Sequence, residues 1–441
     1  MPHTLTAAGG GAAAPAPVHN VGLLPSTVVG QLRRPGLLEN PWLAAGVLGV
    51  AVLLIAARVG SAARRHRRGN RTPRRTRRTP RRTRRVVAGL GFGVAVLVLL
   101  LAGIGLAINS YAGYIPTTAA LGNLLSGTPM EAAVPVPGAT VPLAADGVGP
   151  LTVRHGKPGR PAGNSRLVGV PVSPVATARS QVVQIKIGAA ALGVPPSTTY
   201  VYLPAGYTDP SNAAVRYPVV YLIHGYPGWA SDWLVGGRAQ QAADLLRRLA
   251  LTGPMIMVFP TATGGWLHDS ECLDAVGHGQ KLATYLTGTV VTVIDRTFRT
   301  IPFRRARAIG GMSSGGYCAL NLGLRHLATY STILASMPYG DPGPGPLRHE
   351  LGGNLALYRA NSPSWYVARM AFPARVAVFL DASTDDRETL TTARTMARDL
   401  AARGQYVALH LAPGLGHTWR EARAELPYSL VFASQHLSWS Q

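Results

Sequence analysis

The segment Gly311-Met312-Ser313-Ser314-Gly315 has the residue types and spacing of nucleophilic serine chemistry. In G-x-S-x-G the two glycines permit a sharp turn between a strand and a helix, which presents the serine hydroxyl above a sheet at a helix amino terminus. Ser313 takes the serine position, because reading Ser314 there would put Met312 where the first glycine belongs. The flanks agree: Ala308-Ile309-Gly310 reads as the end of a strand, and Tyr317 to Leu324 reads as a helix.

Such a serine needs a base to take its proton, donors for the developing oxyanion and an acid that orients the base. Gly416-His417-Thr418-Trp419 follows the last strand-like run and offers His417 as the general base. His224 and Gly225 directly follow the apolar run Pro218 to Ile223, in a loop reading HGYPG. The backbone amides of Tyr226 and Ser314 are the expected oxyanion donors, and His224 is read as a structural member of its loop. The acid should follow a strand between Ser313 and His417, and the loop behind Val376 to Leu380 offers Asp381, Asp385 and Asp386, with Glu388 close by. Asp381 is assigned to the strand end, Asp386 is the chosen acid and Asp385 the alternative.

The elements that must position these groups alternate between strand and helix patterns, which predicts an α/β domain with a mainly parallel sheet and flanking helices. Strands are expected at Val182 to Ile187, Thr199 to Leu203, Pro218 to Ile223, Met255 to Phe259, Arg307 to Ile309, Val376 to Leu380 and Tyr406 to Leu411. Helices are expected at Gln240 to Leu251, Leu282 to Phe298, Tyr317 to Leu324, Thr389 to Ala402 and Leu426 to Leu437.

Four phrases resemble the putative-esterase family of α/β-hydrolases, which includes esterase D, feruloyl esterases and mycolyltransferases: YVYLPAGY from Tyr200, YPVVYLIHGYPG, AIGGMSSGGYCALNLGLRH, and GHTWREARAELP from Gly416. The resemblance covers most of residues 195 to 440 and implies an α/β-hydrolase fold acting on carboxylic esters. The family's acid motif is similar to G-x-x-D; here it reads Ser383, Thr384, Asp385, Asp386, with serine in place of glycine. Two spans, an Arg-rich loop and an outward-facing esterase domain also resemble envelope esterases of actinobacteria.

Val86 to Ile108 is an apolar run of 23 residues, enough at 1.5 Å per residue to cross a hydrocarbon core of about 30 Å. A second span is expected over residues 42 to 63, where the apolar run Trp42 to Ala57 is extended by a snorkelling Arg58. Of the 43 Lys and Arg residues, fourteen Arg fall between 58 and 85, where no Asp or Glu occurs and TPRRTRR repeats at Thr72 and Thr79. Basic loops stay on the cytoplasmic side, so the tract predicts a transmembrane helical hairpin with the chain after residue 109 outside. The formal charge of +24 is thus largely one loop's charge, suited to anionic lipid head groups, and no nucleic-acid partner is expected. Residues 1–41 are read as a flexible tail, 42–109 as the hairpin, 110–165 as a Gly/Pro-rich stalk and 166–441 as the hydrolase domain.

Cys272 and Cys318 stand as a disulfide or as two buried thiols; two cysteines exclude a four-cysteine zinc site. No metal or cofactor site is expected, since His268, Asp269 and Glu271 lack a completing ligand, although they could line a substrate pocket. The sequence thus points to a membrane-anchored serine esterase outside the cytoplasm, cleaving an ester or acyl-lipid. The alternatives are transfer of the acyl chain to a sugar hydroxyl, or a noncatalytic envelope scaffold.

Overall fold

The computed structural model describes residues 24, 26–69, 81–126, 133–140, 179–263 and 268–439. The first TPRRTRR repeat, most of the expected tail and the proposed domain start at Arg166 lie outside the described residues.

One nine-stranded sheet forms the centre: β1 (Ala133–Thr140), β2 (Gln181–Ala189), β3 (Val194–Leu203), β4 (Val219–Ile223), β5 (Ile256–Phe259), β6 (Arg307–Met312), β7 (Thr332–Ser336), β8 (Ala377–Ser383) and β9 (Tyr406–Ala412). Its order is β1-β2-β3-β5-β4-β6-β7-β8-β9. β3 runs antiparallel to both β2 and β5, and the other pairs are parallel. The strands β4 to β8 are buried at every residue, which is why β4 and β5 read as unbroken apolar runs instead of alternating ones. This is the expected α/β-hydrolase fold.

Helices cover both faces. On one lie α1 (Ser26–Arg33), α5 (Ala239–Arg248) and α8 (Trp419–His436), which bury Val28, Ala242, Leu246, Ala422 and Leu426 together. The other carries a continuous helical stretch through Leu282–Thr284, Tyr285–Val290 and Val291–Thr297, with α6 (Ser314–Arg325) and α7 (Arg387–Ala402). Between these come α2 (Pro41–Gly69), α3 (Arg81–Ala112) and the short α4 (Thr118–Ser126). Within α2 and α3, Pro41–Arg64 and Val87–Ala112 are long and apolar enough to cross a membrane. The two helices pack closely, with the Arg58 guanidinium 5.1 Å from the centre of the Phe92 ring.

Three expectations need correction. The tail assigned to residues 1–41 is folded at its carboxyl-terminal end: Val28, Val29 and Leu32 of α1 sit in the helical layer, and Glu39 is 2% exposed. Its carboxylate accepts from Arg423 Nη1 at 2.8 Å and Nη2 at 3.2 Å, and from Arg238 Nη2 at 3.3 Å. A lone acidic residue in an Ala/Gly/Pro-rich segment carries no periodicity, so its distant partners were invisible. The stalk assigned to 110–165 also contributes structure, because β1 adds an edge strand parallel to β2. An edge strand is where prolines such as those of AVPVPGAT are tolerated, since it pairs with a neighbour on one side only. Finally, β7 has no counterpart among the expected strands, since Thr-Ile-Leu-Ala-Ser has polar residues at both ends and no continuous apolar run across its length.

The chain leaving α3 turns onto the domain. The Tyr114 hydroxyl donates to Asp232 Oδ1 at 2.7 Å, and its ring lies 6.3 Å from that of Trp419. Together with Glu39 this docks the segments flanking both long helices against α8 and the loop after β4. Removing one member of a buried ion pair leaves its partner charged and unpaired, which costs roughly 3–5 kcal/mol. Glu39→Gln in the detergent-solubilised full chain is therefore expected to lower unfolding stability by about 3 kcal/mol in denaturant titration. A change within about 0.5 kcal/mol would show that this docking contributes nothing.

Candidate active site

The carboxyl ends of the parallel strands carry the expected groups to one edge of the sheet, where open α/β sheets place their ligands. β6 ends at Met312 and α6 starts at Ser314, so Ser313 forms the whole turn, at φ 58° and ψ −123°. A non-glycine residue there is strained by about 1–3 kcal/mol and must be held. The Ser313 amide donates to the Ser336 carbonyl at 3.0 Å, and its own carbonyl accepts from the Tyr317 amide at 2.9 Å. The glycines are dictated by backbone proximity: a Cβ on Gly311 would lie 2.3 Å from the Gly315 carbonyl oxygen, and one on Gly315 would lie 2.2 Å from that of Ile223.

His417 Nε2 lies 2.7 Å from Ser313 Oγ, and His417 Nδ1 lies 2.7 Å from Asp386 Oδ2. A carboxylate accepts only, so Nδ1 carries the proton and Nε2 is left to accept from the serine hydroxyl. Asp386 is the residue before α7, and it accepts from Thr389 Oγ1 at 2.6 Å. Burial pushes its carboxyl up, but hydrogen bonds from Thr389 and His417 and the His417 charge outweigh it, and the group ends below its ordinary value. It therefore stays ionised through the neutral range.

Of the two other aspartates, Asp385 is exposed, while Asp381 is buried within β8 and faces His410. His224 is fully enclosed: Nδ1 donates to the Gly225 carbonyl at 2.8 Å and Nε2 accepts from the Ala262 amide at 3.1 Å. Burial lowers its pKa to about 4 against a smaller opposing effect of the Gly225 bond, so it is a neutral brace for the loop. Tyr226 and Ser314 both line the cavity at Ser313. As the first residue of α6, Ser314 has an amide with no partner inside the helix.

Cys272 and Cys318 are bonded, with Cα atoms 5.8 Å apart. The bridge ties the loop carrying Asp269 and Glu271 to the helix behind Ser313. Those two carboxyls line the cavity, of about 370 Å³, together with Asp341 and Glu388, and among its described residues no Lys, Arg or His appears. Burial, then the nearby Asp269 charge, pushes the Glu271 carboxyl well up. His268 pairs instead with Glu350 at 2.6 Å. Tyr339 and Asp341 went unnoticed in the sequence because they follow β7, the strand that was itself missed. The Tyr339 ring stacks on His417 with centroids 5.7 Å apart.

Behind the HGYPG loop, Asp232 accepts from the Trp229 amide at 2.8 Å and from Tyr114. Burial raises its pKa to about 7 despite these opposing bonds. The folded state thus holds a proton that the unfolded chain releases near pH 4, so stability is lost as pH rises from about 4 to about 7. Asp232→Asn is expected to flatten that decline and to gain on the wild type at pH 8 by a few kcal/mol relative to pH 4, measured by denaturant unfolding at both pH values. Parallel curves for the two proteins would remove Asp232 as the cause.

The fold agrees with what known proteins show. An uncharacterized protein of Corynebacterium glutamicum is 30% identical over 168 residues, 37% of this chain and 38% of that protein. An acetyl esterase of Caldicellulosiruptor saccharolyticus is 30% identical over 117 residues, 26% of this chain and 39% of that protein. The chain thus spans under two fifths of the length of either relative. A solved ferulic acid esterase superposes with a TM-score of 0.51 at 25% identity, covering 59% of this chain and all of that one. The model of the family described as putative esterase matches residues 195–431, more than half of the chain, and the chain belongs to that family.

Proposed function

We propose that this protein is a membrane-anchored serine hydrolase that cleaves carboxylic esters through an acyl-enzyme on Ser313. The observation that carries the reading is the continuous bond line from Ser313 Oγ through His417 to Asp386, at 2.7 Å for each step. His417 takes the serine proton as Oγ attacks the ester carbonyl, and Asp386 stabilises the imidazolium that forms. The amides of Tyr226 and Ser314 receive the oxyanion, a contribution of about 3 kcal/mol per donor. His417 then returns the proton to the leaving alcohol, and water repeats the sequence on the acyl-enzyme. Transfer to a sugar hydroxyl differs only in the acceptor, and a scaffold would have no use for a strained serine held at hydrogen-bond distance from a histidine.

The acetyl esterase relative and the ferulic acid esterase structure direct the first assays to acetyl and feruloyl esters. The acidic lining of the cavity favours neutral esters over anionic ones. The localisation we propose, with the loop inside and the domain outside the cytoplasm, is supported by the two long apolar helices and the Arg-rich segment between them. The Cys272–Cys318 disulfide supports an oxidising compartment.

In the solubilised full chain, a fluorophosphonate probe is expected to label the wild type and not Ser313→Ala, which should also lose p-nitrophenyl acetate hydrolysis by roughly 10⁴-fold or more. A folded wild type that neither labels nor hydrolyses would overturn the reading. Asp386→Asn should lower kcat by about 10³–10⁴-fold through the wrong histidine tautomer, while Asp385→Asn stays within about threefold. The reverse ranking would move the acid to Asp385.

A further inference from the structure

Behind the sheet edge that carries Ser313, three acidic side chains are buried together: Asp381 and Glu421 are 0% exposed and Glu425 is 2%. Asp381 lies near the end of β8 and its cross-strand partner on β9 is His410. Glu421 and Glu425 lie four residues apart on α8, hence on one helix face. Asp381 Oδ2 accepts from Ser336 Oγ at 3.0 Å, and Oδ1 faces His410 Nδ1 at 2.6 Å. Both carboxylate oxygens of Glu421 and Oε2 of Glu425 are buried without a hydrogen-bond donor. Glu421 instead approaches Asp381, carboxyl to carboxyl, with the Arg33 charge as a weaker influence from α1.

Three carboxylates and one imidazole in a low-dielectric interior leave a net negative charge that burial does not tolerate. It must be cancelled by protons or by a cation. One donor atom each from Asp381, His410 and Glu421 lies within 4.8 Å of the others. Metal–ligand bonds of about 2.0–2.4 Å can close such a triangle around a single ion. We propose that Asp381, His410 and Glu421 bind one divalent ion of the zinc class, with Glu425 as the neighbouring acidic group. An imidazole nitrogen among the donors selects against calcium and magnesium, which take oxygen ligands. Binding displaces the proton shared between His410 Nδ1 and Asp381, so the ion takes over the contact that this proton now makes.

The site is separate from the cavity at Ser313 and does not depend on the catalytic reading. Its consequence is mechanical: Glu421 stands four residues after His417, in the first turn of α8, so the ion joins β8 and β9 to the helix that begins at the histidine loop.

The test uses untagged full-length protein in detergent, stripped with a chelator, reloaded with zinc chloride and desalted. One equivalent of zinc by elemental analysis is expected, with the unfolding midpoint raised by roughly 5 °C at a hundredfold excess over Kd. Glu421→Gln and His410→Gln should each lose both the zinc and the shift, while Ser313→Ala keeps them. A wild type that stays metal-free with an unmoved midpoint overturns the proposal and leaves protons as the neutralising agent. Equal zinc in the wild type and both variants overturns it too, by placing the ion elsewhere. The wild-type titration stands by itself should either variant fail to fold.

Discussion

The structure turns on how closely two pieces of backbone approach at the elbow. With no side chain on Gly311 or Gly315, the Gly315 carbonyl of α6 settles against Gly311 of β6 and Gly315 itself against the Ile223 carbonyl of β4, and only then can a single residue, Ser313, join β6 to the helix. An added methyl group would push the helix away from β6 at Gly311 and away from β4 at Gly315. The HGYPG loop emerges from that same strand, so the position of the serine and that of the loop facing it are set by one contact. The bond from Ser313 to the Ser336 carbonyl extends the constraint to β7.

A second level of organisation is electrostatic. Glu39, Arg423 and Arg238 form a buried charge cluster, and Asp232 binds Tyr114 behind the oxyanion loop. These contacts join the residues before α2 and after α3 to α8 and to the segment that follows β4. Buried charges stabilise only when paired, so the contacts are more discriminating than apolar packing: shifting either segment by one residue would strand a charge. The hydrolase domain is thus better described with residues 26–40 and Tyr114 included than as a unit starting at residue 166.

Much of the site could be read in the sequence because its chemistry is local. Ser313 announces itself through glycines two residues away on either side, and His417 through GHTW after a strand that alternates visibly. Asp386 is harder to single out: three aspartates fall within six residues, two of them adjacent in the loop after β8, and the start of α7 decides which one faces His417. The unread features depend on contacts distant in sequence. Glu39 and Arg423 are 384 positions apart, Tyr339 follows a strand whose apolar stretch is interrupted at both ends by polar residues, and the union of Asp381, His410 and Glu421 needs two neighbouring strands and a helix. Periodicity reports which face of an element is buried, and it says nothing of which charged residue waits on the other side.

The acidic lining of the cavity bears on the end of the reaction more than on its beginning. Hydrolysing a neutral ester creates a carboxylate that was not there before, inside a space bordered by Asp269, Glu271, Asp341 and Glu388 with no basic side chain among the described lining. The new anion finds carboxyl groups there and no cation to pair with, a mismatch that the neutral parent ester does not meet. On the proposed reading, a lining with acidic groups and no described cation gives the acid product no partner to hold it, which favours its release over its retention.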